Sequence, residues 1–525
     1  MENNRTSFGS NFGFLMAAIG SAVGLGNIWG FPYKMGMSGG FAFLLVYLVL
    51  AIFVGLAVMV GELTIGRKTG LSPVAAYRKL SKKFTWLGYM AVLVPFLVLC
   101  FYFVLGGMVT RYALGYLTAI FGWNTWGVDN IADYFGQFIC NGGSMILWTA
   151  IFIAINAFVV AAGVAEGIEK FCKVGMPALF VMLLICIIRA CTLTDAVNGL
   201  KYMFVPGWAV ANGVIAEAPS FLKVLSTAGG QMFFSLSLGM GAMITYGSYL
   251  KKQESIQKNA VIIVICDTLV AIMAGMIVMP ACYAFLDGNT SSGPGLLFLS
   301  MQLVFDKMGY IGNIMGFLFY ALVFIAAISS SMSLLEVITS FKVDQNVEQG
   351  KAPGRKKYAI IVAIIIFIFC LPTCLDGLGT GVNDGATLGT PAEILGMEWG
   401  EAGNITEFAK DTTYYTVDET GHYSAVAADA AFDANETYYV NTAKGWNCDW
   451  LDFYDMLSEG IMMPLGALVM AFAIGWIWKI DMVVEECEQS GHKFWGRGFF
   501  NVCYKIITPI GMAFVLYAQV TGFFG

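Results

Sequence analysis

Backbone that crosses lipid must satisfy its own hydrogen bonds, so an apolar stretch long enough to cross about 30 Å of hydrocarbon is committed to helix. This sequence holds eleven such stretches, near residues 11–36, 41–66, 86–120, 145–162, 167–190, 222–250, 258–284, 308–343, 357–372, 453–480 and 498–523. With 58% hydrophobic and 12% charged residues over 525 positions, the composition excludes a water-soluble domain of this size. The expectation is an all-α polytopic membrane protein of about eleven transmembrane helices, a single domain over 1–525. The first stretch is too long for the core of a secretion signal, and no small-residue cleavage site follows a basic start, so it reads as a retained span.

Charge orients the bundle. Arg67, Lys68, Arg78, Lys79, Lys82 and Lys83 lie between the second and third stretches with no acid among them, and Lys351, Arg355, Lys356 and Lys357 follow the eighth. Positively charged loops stay inside. That rule puts the N-terminus in the cytoplasm and the C-terminus outside, in a multi-pass protein of the cytoplasmic membrane. Residues 373–452 hold 14 Asp and Glu against two Lys, a net charge of −12 in a chain whose total is −6. This acidic insert is extracellular by the same rule and reads as a solvated loop. Cys374 and Cys448 bracket it, and a bridge between them or two free thiols are equally compatible with the sequence. The chain has two histidines, His422 and His492, both outside the apolar stretches, and no nucleophile–base or metal motif, so no enzyme is indicated. No nucleic-acid partner is indicated either.

Two spans are built to come apart. Residues 20–36, GSAVGLGNIWGFPYKMG, carry five glycines, a proline, a serine and an asparagine in mid-membrane. Five spans later, Ser235-Leu236-Ser237-Leu238-Gly239-Met240-Gly241 forms a second glycine-interrupted polar patch. An odd number of spans separates the patches, so the second helix runs opposite to the first, and the halves, about 11–190 and 222–480, are candidates for inverted repeats with an extra helix at about 498–523. Paired breaks of this kind point to a transporter site. Freed carbonyls can take a cation, and helix-end amides can take an anionic group.

At these residues the sequence resembles the neurotransmitter:sodium symporter family, the LeuT-type transporters. GSAVGLGNIWGFPY is similar to the family's first-helix motif, QMFFSLSLGMGAMITYGSY to its sixth, GIEKFCKVGMP to its fifth and AAISSSMSLLE to its eighth. The likeness runs from Arg5 to the last span, apart from the insert. It implies a LeuT-like fold of five-plus-five inverted repeats with helices one and six broken. It also implies two sodium ions and one substrate at the breaks.

Carried over by residue, the first sodium site is Ala22, Asn27, Ser235 and Asp267, and the second is Gly20, Val23, Ala326, Ser329 and Ser330. Both sets offer the oxygen ligands that a hard cation takes. Ser331 is expected to bond back to its own helix. Gly24 stands where monoamine transporters place an Asp, which leaves room for a substrate carboxylate. The resemblance then gives that carboxylate the amides of Leu25 and Gly26 and the hydroxyl of Tyr102. The ammonium group receives the carbonyls of Ala22, Phe234 and Ser235 and the hydroxyl of Ser237. Val98, Tyr102, Phe234, Met240 and Leu334, with Ser330 beside them, form the side-chain pocket, which implies a hydrophobic amino acid. Chloride-dependent relatives hold their anion near Tyr47, Gln231, Ser235 and Ala271. Here Asp267, in the apolar run VIIVICDTLVAIMAG, brings a carboxylate to that neighbourhood, so chloride is expected not to be required.

The resemblance also supplies gates. Arg5 and Asp344 match the inner ion pair, with Tyr249 nearby and Phe8 where relatives have Trp. Gly167 and Pro177 match an element of the fifth helix that unwinds. Tyr102 and Phe234 form the outer lid. Asp455 matches one half of the outer ion pair, but the Arg that relatives place after NIW is Gly30 here, and Lys34, one turn on, is the expected substitute partner for Asp455. The reading is a sodium-coupled amino-acid symporter in a lipid bilayer. An amino-acid sensor or sodium channel on the same fold is the alternative, and the oligomeric state is open.

Overall fold

Each long apolar stretch is helical in the computed structural model, which describes residues 7–128, 130–286, 288, 293–382, 385–403, 413–417, 423–426, 432–433, 436–489 and 491–524. The first span is two helices, α1 (Asn11–Ala22) and α2 (Gly26–Met37), bent by 49° at the glycine-rich break. Then come α3 (Phe41–Thr69), α4 (Lys82–Ile120), α5 (Gly142–Ala162) and α6 (Val164–Cys191). The sixth segment is again divided, into α7 (Phe221–Ser235) and α8 (Ala242–Gly247). The remainder are α9 (Ile256–Phe285), α10 (Tyr310–Glu348), α11 (Arg355–Leu375), α12 (Trp450–Ile477) and α13 (Arg497–Phe523). Among the described residues nine helices are individually long and apolar enough to cross a membrane, ten with the bent first pair. The divided sixth segment accounts for the difference from the expected eleven.

Burial sorts these helices into centre and periphery. Within its most apolar window α4 is 78% buried, whereas α5, α6 and α13 are 33% buried and so form the outer shell. α10 packs along α4, and α1 lies against α6, α9 and α10. α7 and α8 lean on α3, and α13 covers α7 and α12. Both broken helices are therefore surrounded by protein, the condition under which irregular backbone survives at membrane depth. Pro95, Pro177, Pro280 and Pro372 all sit inside helices.

The insert is more ordered than a solvated loop, and the structure corrects that expectation. It carries a four-stranded antiparallel sheet of β1 (Trp399–Glu401), β2 (Tyr414–Val417), β3 (Tyr423–Ala425) and β4 (Tyr439–Asn441), in the order β1-β4-β2-β3. Aromatic and β-branched residues make the pairs, with Tyr415 opposite Tyr439 and Tyr414 opposite Val440. Trp399 packs edge-on to Tyr415 with ring centres 4.7 Å apart. An acidic composition hid this local β preference. Cys374 and Cys448 are separate free thiols. The Cys374 sulfur lies 3.5 Å from Thr149 Oγ1, and the Cys448 sulfur 3.5 Å from Asp452 Oδ2.

The two ends of the insert are joined by Asp376 instead. Its buried carboxylate accepts the Leu378 amide at 3.0 Å and the Trp450 amide at 2.7 Å. Burial pushes this carboxyl up to about 7, although the two amides oppose the shift. A folded-state pKa above the ordinary value of about 3.9 means the fold binds the proton more tightly than the unfolded chain does. The resulting stabilisation is complete below pH about 4 and is lost as the pH rises through about 7. Amide exchange at Trp450, corrected for intrinsic rates, is expected to accelerate across that window, and Asp376→Asn is expected to flatten the dependence.

Candidate functional site

The first break is made by diverting amides from the helix ladder. Gly24 N–H donates to Asn27 Oδ1 at 3.0 Å, Leu25 N–H to the Tyr102 hydroxyl at 2.9 Å, and Asn27 N–H to Gly24 O at 3.2 Å. Carbonyls around Gly20 to Val23 thereby lose their usual partners, and that of Ser21 accepts the Ser237 hydroxyl at 2.8 Å. Side chains do not fit everywhere here. A Cβ at Gly24 would lie 2.6 Å from the Tyr102 oxygen and 2.9 Å from Ser330 Cβ.

The second break turns through Ser237, φ 52, and Gly239, φ 76. Gly239 is required twice over, because a Cβ there would also sit 2.7 Å from the Met463 carbonyl. Its amide donates to Glu62 Oε1 at 2.7 Å, from a glutamate buried in α3. The second break is thus satisfied by a carboxylate as the first is by an asparagine.

Between the breaks lies a buried polar cluster. Asn27 Nδ2 donates to Asp267 Oδ1 at 2.7 Å and to Ser235 Oγ at 2.8 Å, and the Ser235 hydroxyl donates to Asp267 Oδ2 at 2.8 Å. Tyr47 adds a longer contact to Asp267 Oδ2, at 3.4 Å. The structure therefore brings Asn27, Ser235 and Asp267 together, with Ala22 near the same break. Gln231, expected in this neighbourhood, is turned to Gly26 O at 2.7 Å. Its Oε1 would be 2.9 Å from a Cβ at Gly30, so it occupies the side of α2 that Gly30 leaves bare.

Beside the cluster, Ala22, Gly24, Gly26, Val98, Tyr102, Phe234, Ser237, Met240, Ser330 and Leu334 enclose one cavity. Its volume is about 10 Å³, room for one water, so the walls must part to admit anything larger. Tyr102 and Phe234 close one side with ring centres 6.4 Å apart. Leu25 and Ser235 do not line this cavity, because the amide of Leu25 is taken by Tyr102 and the hydroxyl of Ser235 by Asp267.

α1 crosses α10 at the second expected set, and a Cβ on Gly20 would lie 3.0 Å from Ser329 Cβ. Ser329 Oγ donates to Ala326 O at 3.0 Å. Ser331 bonds back to Ala327 O at 2.7 Å and also reaches Asn156 Oδ1 at 2.7 Å. Ser21 and Ser333, which carried no expectation, pair hydroxyl to hydroxyl at 2.7 Å across the same crossing. Carbonyl and hydroxyl oxygens without amine donors suit a hard cation such as sodium.

Toward the insert, Lys34 forms its ion pair with Glu459 and not with Asp455. Glu459 is one turn further along α12, which carries its carboxylate to the lysine. Asp455 stays alongside, and with Asp452, Tyr33 and Phe234 it lines a second cavity of about 310 Å³ above the Tyr102–Phe234 pair. Leu378, Cys448 and Asp449, from the two ends of the insert, line it too.

At the opposite end, Arg5 lies outside the described residues. Asp344 accepts the Ser72 amide at 2.7 Å. Tyr249 donates to Glu336 at 2.6 Å, Arg355 grips both oxygens of the same buried Glu336, and Phe8 packs edge-on to Tyr246 and Tyr249. Gly167 lies in the wide first turn of α6, where a Cβ would meet the Val159 carbonyl at 2.0 Å. Nearby, Glu169 holds the Gly9 amide at 2.7 Å and Lys173 at 2.6 Å.

Glu62, Glu336 and Glu459 were missed by sequence reasoning. The signal was available for Glu62 and Glu336, each the one acid in its stretch of a membrane span, the same signal that singled out Asp267, whereas Glu459 follows Asp449, Asp452 and Asp455 and does not stand out among them. Asn27→Ala is expected to lower stability by about 1–3 kcal/mol by removing donors from a buried carboxylate. Glu336→Ala, which strands Arg355, is expected to cost about 3–5 kcal/mol. Thermal unfolding in detergent reads both.

Known proteins share this chain's family and fold. The sodium:neurotransmitter symporter family matches residues 5–141 and 134–382. An uncharacterized sodium-dependent transporter of Haemophilus influenzae is 32% identical over 521 residues, 97% of each chain. The uncharacterized sodium-dependent transporter YhdH of Bacillus subtilis is 34% identical over 382 residues, 71% of this chain and 80% of that one. The crystal structure of MhsT in complex with L-phenylalanine superposes with a TM-score of 0.75 at 31% identity, covering 98% of this chain and 100% of that one. The chain is thus a multi-pass membrane protein with the LeuT-type fold, and it belongs to the sodium:neurotransmitter symporter family.

Proposed function

We propose that the chain imports a hydrophobic L-amino acid together with sodium, by alternating access and without a chloride requirement. The observation that carries this reading is the Asn27–Ser235–Asp267 cluster next to a small cavity of mixed polar and apolar lining at two helix breaks. One sodium ion would take Ala22, Asn27, Ser235 and Asp267, and a second would take Gly20, Val23, Ala326, Ser329 and Ser330. The second joins α1 to α10 and so organises the substrate site. Asp267 supplies the negative charge beside the first ion, the part that chloride plays in other members.

Gly24 faces the Tyr102 and Ser330 oxygens so closely that not even a Cβ fits, and its lack of a side chain leaves that place to a substrate carboxylate once the walls part. For that group to bind, the Leu25 amide and the Tyr102 hydroxyl exchange their mutual hydrogen bond for bonds to the substrate. The ammonium group goes to the carbonyls of Ala22, Phe234 and Ser235 and the hydroxyl of Ser237. Val98, Phe234, Met240 and Leu334 hold the side chain, and an unpaired charge among them would pay heavily for desolvation. The unbranched, polarizable Met240 adapts to several shapes, and MhsT, with its bound L-phenylalanine, supports an aromatic substrate.

Lys34 and Glu459 close the outer path above Tyr102 and Phe234, and Asp344 with the Tyr249–Glu336–Arg355 set closes the inner one. The N-terminus is assigned to the cytoplasm on loop charge. Uptake of labelled leucine, phenylalanine and alanine into proteoliposomes, with and without an inward sodium gradient, in chloride and in gluconate, tests the reading. Sodium-driven accumulation that survives replacement of chloride is expected. Sodium-dependent binding without accumulation would point instead to a sensor, and accumulation that needs chloride would overturn the role given to Asp267.

A further inference from the structure

Away from the transport path, at the end of the bundle opposite the insert, α12 and α13 part around a cavity of about 510 Å³. Lys479, Arg497 and Lys505 line it, together with Trp476, Asp481 and Asn501. We propose that this cavity is a binding site for the headgroup of an anionic glycerophospholipid.

The cavity is built and held in shape. Trp476 Nε1 donates to Lys505 O at 3.2 Å, which ties α12 to α13, and the Lys505 ammonium lies 5.6 Å from the Trp476 ring centre. Arg497 is paired with Asp481, yet both remain more than half exposed. Lys479 sits in a left-handed turn with φ 64, is exposed, and has no ion-pair partner among the described residues. Three cations against one acid leave the cavity net positive. The first turn of α13, at Arg497 and Gly498, adds unpaired helix amides, which favour a phosphate.

Asn501 gives the second half of the argument. Its Oδ1 is buried without a hydrogen-bond partner among the described residues. An acceptor left over among phosphate-binding cations calls for a hydroxyl donor, which a glycerol headgroup supplies beside its phosphodiester. Directly along the bundle from this cavity, Ile477, Val502 and Ile506 are exposed on the lipid-facing side of the same two helices. A ligand with a phosphate at one end and acyl chains at the other matches that sequence of surfaces. Lysines snorkelling to the interface would explain the charges, but not a cavity between helices or the orphaned amide oxygen. Basic pockets between transmembrane helices are suited to such headgroups.

The test uses the full-length chain, delipidated in neutral detergent and titrated with phosphatidylglycerol or phosphatidylcholine, with bound lipid counted by native mass spectrometry. Phosphatidylglycerol is expected to bind at least about tenfold more tightly than phosphatidylcholine. Combining Lys479→Gln, Arg497→Gln and Lys505→Gln is expected to weaken it by roughly fivefold per cation, with phosphatidylcholine unaffected. Lys479→Gln alone, at an exposed turn outside the packed core, should give the single fivefold step even if the triple variant folds poorly. Lys82→Gln with Lys83→Gln, in a different loop, should leave binding unchanged. Equal phosphatidylglycerol binding by wild type and Lys479→Gln would overturn the proposal. So would displacement of the lipid by millimolar glycerol 3-phosphate, which would make the site one for a free phosphate.

Discussion

A hydrogen-bond donor or acceptor left unpaired inside a membrane costs several kcal/mol, and two helices of this protein are interrupted at that depth. Side chains around the breaks answer much of that cost. Asn27 takes the Gly24 amide, Tyr102 takes that of Leu25, and Glu62 takes that of Gly239. Ser237 returns its hydroxyl to the Ser21 carbonyl, so each break helps to satisfy the other. The other helices are arranged to keep lipid away from this core, with the long, buried α4 and α10 pressed along each other. The proposed functional chemistry and structural necessity therefore fall on the same atoms.

Much of this was legible in the sequence. Helix length and apolarity gave the spans, because lipid leaves the backbone few alternatives. Gly24, Gly26, Gly239 and Gly241, set among apolar residues, marked the breaks, and Asp267 stood out as a charge in an apolar run. What could not be read was direction. Nothing in the order of residues says that Lys34 leans toward Glu459 when Asp455 is one turn nearer, since the choice depends on how α2 and α12 are rotated against each other. Nor does it say that Gln231 fills the side of α2 left bare by Gly30, a packing event between residues two hundred positions apart. The insert misled for another reason. Net charge describes how a segment meets water, whereas strand formation in Tyr414–Val417 and Tyr439–Asn441 follows from local aromatic and β-branched side chains.

Charge is used differently at the two ends of the pathway. Near the insert, the Lys34–Glu459 pair stands in a cavity crowded with further acids, Asp449, Asp452 and Asp455. At the other end Glu336 is fully buried and holds a tyrosine and an arginine together. A single amine facing several acids can change partner with little movement. A carboxylate gripped by a guanidinium and a phenol cannot, because release exposes buried charge on both sides.

The hydrogen bond from Gly239 to Glu62 also settles what can travel with what. If α8 and the turn before it slid against α3, a buried carboxylate and a buried amide would be stranded together. In the alternating-access cycle proposed above, the low-energy displacement would be one in which α3 follows the turn, and the moving segment would be larger than the broken helix itself. The hinge of such a cycle would then lie not at the glycines, where the chain looks weakest, but at the faces where this joined pair of elements meets its neighbours.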